Sequence, residues 1–135
     1  MTRYAKGADA ERELIHDLFK RGFSVVRVAG SGKSSLPAPD LLALRQGRVW
    51  AFECKAWGNS SISIPVPKMQ ELLDWCTRAG AEPVIAWKYP RQGWFFLKPE
   101  HMAKSAKHYS ITLRHAQAKT IPLEVLLGQM VKLVL

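Results

Sequence analysis

The chain has 135 residues, 47% of them hydrophobic and 23% charged. That length suits one compact domain with a real core and is too short for two ordinary ones, and the composition excludes a disordered chain. Twenty Lys and Arg against 11 Asp and Glu give a net charge of +9, a balance that favours a polyanionic partner, nucleic acid ahead of an anionic membrane.

Membrane association finds no support in the pattern. No apolar run approaches ~18–20 residues, and no helix carries a concentrated basic face. The N-terminal "MTRYAKGADAERE" lacks the apolar stretch of a secretory signal, so an intracellular, cytoplasmic protein is expected. The two cysteines, Cys54 and Cys76, are too few for a disulfide framework or a zinc cluster and are read as small buried thiols.

Residues 8–21 predict a first helix with Leu14, Ile15, Leu18 and Phe19 as its apolar stripe and Gly22 as its stop. Glu11 lies three, four and seven residues before Leu14, Ile15 and Leu18, at the edge of that stripe, whereas Glu13 and Asp17 fall on the opposite, solvated face. "FSVVRVAG" is short and β-branched, hence a strand. Arg27 shares a side with Phe23 and Val25 in it, and needs an anion or a carboxylate as partner. Residues 30–39, "GSGKSSLPAP", predict a mobile basic loop.

A hairpin follows: "DLLALR", a turn at Gln46-Gly47, and "RVWAFECKAW". "GNSSISI" reads as irregular or a short extension. The second helix covers 65–79, with Pro67 in its first turn and Gly80 at its end. "PVIAWKYP" and "GWFFLKP" form two more strands, residues 99–119 are polar with weak periodicity, and a C-terminal helix is expected over about 122–134. The order α-β-β-β-α-β-β-α predicts a single α/β domain spanning 1–135, with a mixed sheet flanked by helices. The connection through the second helix can be a crossover between parallel strands. His16, His101, His108 and His115 lack ligand spacing and read as surface residues.

The chemistry concentrates on the hairpin. Side chains alternate along a strand, so Glu53 and Lys55 share one side and Trp50, Phe52 and Cys54 face the other, packed side. Asp40 opens the partner strand and reaches Glu53 if the turn register is right. Two carboxylates half-buried together are costly unless a divalent cation lies between them. Mg²⁺ prefers such oxygen ligands. A cation held there polarises a phosphoryl oxygen and lowers the pKa of a bound water, and Lys55 positions the attacking water or offsets charge on phosphorus. Each residue also has a plainer reading. Lys55 and Glu53 could be a surface ion pair, Asp40 a turn residue after Pro39, and Glu11 an acid favoured by the helix dipole.

Pro39-Asp40 followed by Glu53-Cys54-Lys55 resembles the motif of the PD-(D/E)xK nuclease superfamily. "KGADAERELIHDLFKRGFSVVRVAGSGKSS", "PDLLAL", "AFECK", "GAEPVIAWKYPRQGWFFL" and "IPLEVLLG" together are similar to archaeal Holliday junction resolvases of the Hjc type, over nearly the whole length. The resemblance implies a restriction-endonuclease-like fold with a central mixed five-stranded β-sheet. It implies a homodimer that binds four-way junction DNA by shape in recombination and repair. Paired symmetric nicks would require Mg²⁺, with Mn²⁺ able to substitute, and no small-molecule cofactor. By motif position it places metal-binding acids at Glu11, Asp40 and Glu53, and the catalytic lysine at Lys55. It places basic DNA contacts at Arg12 and Arg27, with Lys33 and Ser31 in the loop. A loop serine matters in some members, and Ser34, after Lys33, is favoured here. The loop is longer and carries Pro37 and Pro39, a local departure. A nucleoid-associated protein is implied. The C-terminal helix and strand 93–98 are candidates for a dimer interface. Another repair or restriction-type nuclease, or a non-cleaving DNA-binding protein on the same fold, are the alternatives.

Overall fold

The computed structural model describes residues 3–28 and 36–129, with side chains from residue 7 onward. Helix α1 (Arg3–Lys20) leads into β1 (Ser24–Arg27). Strands β2 (Leu41–Arg45) and β3 (Arg48–Ala56) form the hairpin expected from the sequence. Its two-residue turn places Gln46 at φ 48° and Gly47 at φ 80°. Two successive positive φ values suit the twist of an antiparallel pair, and Arg45 and Arg48 close the ladder. Next come β4 (Ser61–Pro65), α2 (Val66–Ala79), β5 (Ala81–Tyr89) and β6 (Gly93–Leu97). A short 3₁₀ turn then precedes β7 (Ala103–Lys104), β8 (His108–Thr112), α3 (Leu113–Lys119) and α4 (Leu123–Leu126).

The main sheet has five strands in the order β1-β2-β3-β5-β6. Only β3 and β5 pair in parallel, and α2 makes the connection between them. This is the mixed five-stranded sheet that the sequence suggested. A parallel pair cannot be joined by a tight turn, and a helical crossover supplies the length. Gly80 ends α2 in the left-handed conformation, with its N–H donating to the Cys76 carbonyl.

Alternation along β3 and β5 divides the core between two faces. On one, Trp50, Phe52, Val84 and Ala86 pack against Leu14 and Leu18 of α1 and Leu123 and Leu126 of α4. On the other, Ala51, Ile85 and Trp87 pack against Met69, Leu72 and Cys76 of α2. Two helical layers therefore enclose the middle of β3, and its C-terminal end is half-covered.

Several expectations are corrected. "GNSSISI" contains a strand: Ile62 and Ile64 of β4 are buried and alternate with exposed Ser61, Ser63 and Pro65, and β4 joins β8 and β7 in a second sheet. The polar segment 99–119 supplies β7, β8 and α3, anchored by Met102, Ile111 and Ala116. Phe19 is 70% exposed, because the buried strip of α1 runs through Ala10, Leu14 and Leu18 at four-residue spacing and leaves Phe19 to one side. The C-terminal helix is short. After Leu126 the chain turns, and Gly128 takes φ 73°; residues 130–134 of the expected helix lie outside the described residues. Phe95, Phe96 and Leu97 of β6 are buried in the chain's own core. Among the described residues no helix is long and apolar enough to cross a membrane.

Candidate active site

Asp40 stands at the mouth of β2, one residue before the Leu41–Phe52 pair of the ladder. Its backbone is held on both sides, the N–H donating 3.0 Å to the Phe52 carbonyl and the carbonyl accepting 2.9 Å from Val28. Continuing the ladder by one position sets Asp40 beside Glu53, as the register argument required. The Cys54 N–H donates 2.7 Å to Asp40 Oδ2 and fixes the carboxylate itself. The acid after Pro39 is thus a wedge between two strands, and the turn-residue reading fails on these bonds.

Glu11 reaches the same place from α1. Glu11, Asp40, Glu53, Cys54 and Lys55 line one cleft of about 320 Å³, closed on its sides by Arg27 and Trp94. Helical periodicity had singled out Glu11 over Glu13, and Glu13 instead meets Lys88 of β5 at 2.6 Å. Arg27 finds the carboxylate it needed: its Nε and Nη2 donate 3.2 and 3.1 Å to Glu11 Oε2. Arg12 pairs with Asp9 at 2.9 Å on the exposed side of α1. The expectations for Ser31, Lys33 and Ser34 concern positions outside the described residues.

The electrostatics are those of crowded acids. Burial and then Asp40 raise Glu11, with the Arg27 contact pulling the other way. Burial raises Asp40, opposed first by the Cys54 N–H and then by Lys55 and Lys68. Glu53 is displaced furthest, to about 7, by burial and by Asp40, although Lys55 and Lys68 oppose the shift. Lys55 Nζ lies 4.0 Å from Glu53 Oε1 and 5.2 Å from the centre of the Trp57 ring. That separation, with both side chains about three-quarters buried, makes the pair more than a solvated surface contact.

Two participants were not anticipated. Cys54 was assigned to the packed side; it does share the face of Trp50 and Phe52, but it sits where that face leaves the core. Its sulfur, one Glu11 oxygen and one Asp40 oxygen all lie within 4.8 Å of one another. Lys68, in the first turn of α2, contributes positive charge to both Asp40 and Glu53. Strand alternation marked the face of Cys54, but only the fold shows where that face opens.

Three converging carboxylates, whose upward shifts Arg27, Lys55 and Lys68 only partly offset, fit a divalent cation. Glu11 and Asp40 offer oxygen donors at close range, and Glu53 lines the same cleft from the other face of β3.

Known proteins resemble this chain over most of its length. The family model for archaeal Holliday junction resolvases (Hjc) matches residues 2–134. The crossover junction endodeoxyribonuclease Hjc of Archaeoglobus fulgidus is 33% identical over 107 residues, 79% of either chain. Its counterpart in Methanocaldococcus jannaschii is 34% identical over 112 residues, 83% of this chain and 80% of that one. The 1.6 Å structure of Archaeoglobus fulgidus Hjc, a Holliday junction resolvase, superposes with a TM-score of 0.82 at 26% identity, covering 94% of this chain and 99% of the other. On the strength of a match from end to end, in sequence and in fold, this chain belongs to the archaeal Holliday junction resolvase family.

Proposed function

We propose that the protein is a structure-selective endonuclease that resolves four-way DNA junctions by hydrolysing phosphodiesters at the Glu11–Asp40–Glu53–Lys55 cleft with a divalent cation, Mg²⁺ in the cell. The observation that carries this reading is the convergence of Asp40, held by the Cys54 N–H, with Glu11, Glu53 and Lys55 in one cleft of a basic chain.

Glu11 and Asp40 would hold the cation, with Glu53 completing its oxygen shell directly or through water. When bound, the cation supplies charge to polarise the phosphoryl oxygen and acidify a water. The chain's own contribution is positional. The hydrogen bond to Asp40 Oδ2 fixes one carboxylate orientation before substrate arrives. Lys55, held between Glu53 and the Trp57 ring, presents an ammonium group to the scissile phosphate, where it orients the attacking water or offsets charge on phosphorus. In-line attack then leaves a 5′-phosphate and a 3′-hydroxyl.

Arg27, beside Glu11 at the rim, and Arg12, on the outer face of α1, are suited to contact the DNA backbone, and we assign Ser31, Lys33 and Ser34 the same role. Paired nicks on a two-fold symmetric junction need two sites, which a homodimer supplies. We place the enzyme in the cytoplasm, at the nucleoid, where its substrate is.

The test compares a labelled four-way junction with a linear duplex of matched sequence, with Mg²⁺ or chelator. Paired nicks confined to the junction and lost in chelator are expected. Binding without cutting under any divalent ion, or equal cutting of linear duplex, would overturn the assignment.

A further inference from the structure

The cleft holds a donor that phosphodiester hydrolysis does not call for. The Cys54 sulfur lies within 4.8 Å of a Glu11 oxygen and of an Asp40 oxygen, on the wall of the cleft, while its backbone N–H holds Asp40 in place. Oxygen-only sites suit Mg²⁺; a sulfur beside two carboxylates suits a softer ion, and Zn²⁺ and Cd²⁺ favour sulfur over Mg²⁺ by a wide margin. We propose that the cleft is also a binding site for a thiophilic divalent cation, Zn²⁺ or Cd²⁺, taken by Cys54 Sγ together with Glu11 and Asp40, in competition with the hard cation.

The geometry permits it. Zinc bonds of about 2.0 Å to oxygen and 2.3 Å to sulfur put tetrahedral donors roughly 3.5 Å apart, so the widest pair closes by about 1 Å. Small side-chain rotations cover that. Both Arg27 hydrogen bonds end on Glu11 Oε2, so Oε1 is not held by them. Binding breaks the S–H bond and forms a metal–sulfur bond; the proton leaves to solvent, and nothing is oxidised or reduced. The Asp40 hydrogen bond fixes the Cys54 backbone at the wall of the cleft.

The two cations need the same Asp40 and Glu11 oxygens, so they exclude each other. The binding rests on the donor geometry alone. Its consequence, that a trace of thiophilic ion blocks junction cutting and excess Mg²⁺ relieves the block, rests on the nuclease reading.

The experiment titrates the intact protein with Cd²⁺ and follows the ultraviolet sulfur-to-cadmium charge-transfer band. One ion per chain with a clear band is expected. Cys54→Ser, close in size, and Cys54→Val should each abolish the band and weaken Cd²⁺ binding at least on the order of 10- to 100-fold, a loss that even an outer partner of a ligand can bring. Cys76→Val, altering the thiol buried under α2, should keep both. Glu11→Gln should weaken binding and leave the band. No band in the wild-type protein, or a band that survives Cys54→Ser and disappears in Cys76→Val, overturns the proposal. Mg²⁺-dependent cutting of a junction by the wild-type protein is scored separately. A band without cutting removes the nuclease reading and leaves the ion site, and cutting without a band does the reverse.

Discussion

The two halves of β3 make opposite uses of one strand. From Val49 to Phe52 it is a core element: Trp50, Ala51 and Phe52 are at most 1% exposed, and Phe52 meets Phe96 edge to face. From Glu53 to Ala56 every residue is half-buried, and three of the four carry a carboxylate, a thiol or an ammonium group. The first half sits between α1 and α2; the second is half-covered and faces the N-terminal half of α1 across the cleft. Burial of the apolar half supplies rigidity, and the charged half draws on it to keep two carboxylates closer than they would choose to be. A ladder that is continuous along β3 and β5 ties the two together.

Breaking the apolar half should cost most. Phe52→Ala removes a fully buried ring between α1 and the sheet and should lower unfolding free energy by about 3–5 kcal/mol, read by denaturant titration. Cutting would fall with it only in so far as the chain unfolds. Asp40→Asn strikes the other half. It keeps an oxygen able to accept from the Cys54 N–H, so the fold should hold, while cutting drops on the order of 10²- to 10³-fold, the range seen when one preorganised electrostatic group is lost. Junction binding should persist or tighten, because a negative charge facing phosphate has gone; a gel-shift titration decides this.

A pH series separates the halves more finely. Glu53 rises from 4.5 to about 7 on folding in the cation-free protein, so the folded state binds that proton more tightly than the unfolded chain. Below about pH 4.5 both states are protonated and the contribution is fully present. Between there and about 7 the unfolded chain releases its proton first, and stability falls as pH rises. A shift of that size corresponds to roughly 3 kcal/mol, shared with the neighbouring Asp40. Cation-free unfolding measured from pH 4 to pH 8 should show the decline, and saturating Mg²⁺ should remove most of it. At the hairpin end, Arg48 pairs with Glu82 at 3.1 Å, both side chains more than half exposed, and its guanidinium lies 4.6 Å from the centre of the buried Trp50 ring. Arg48→Ala should change stability by only about 0.5–1 kcal/mol and leave cutting intact.

How much of this was open to a reader of the sequence follows the range of the contacts. The hairpin was legible because Gln46-Gly47 is a local turn and its register carries Asp40 to Glu53 by counting. Glu11 was legible from its spacing to Leu14 and Leu18. Arg27 advertised the need for a carboxylate, and only the packing of α1 on β1 named it. The second sheet was hidden because Ile62 of β4 pairs with Ile111 of β8, 49 residues on, and each strand alone alternates serine or another polar group with a single apolar residue. The C-terminal stripe suggested a long helix; Gly128, in the left-handed region, marks where it stops. Cys54 fitted the apolar side by alternation, and that this side borders a cleft beside Glu11 follows only from how α1 packs on the sheet.

The most direct test is the cation-free unfolding free energy of Glu53→Gln against the wild-type protein at pH 8, repeated with saturating Mg²⁺. If the charged half of β3 is held under electrostatic cost for the sake of a cation, the variant is the more stable of the two without Mg²⁺ and gains less from adding it. A variant that is less stable without the cation, and that gains as much from Mg²⁺ as the wild type, would contradict the account.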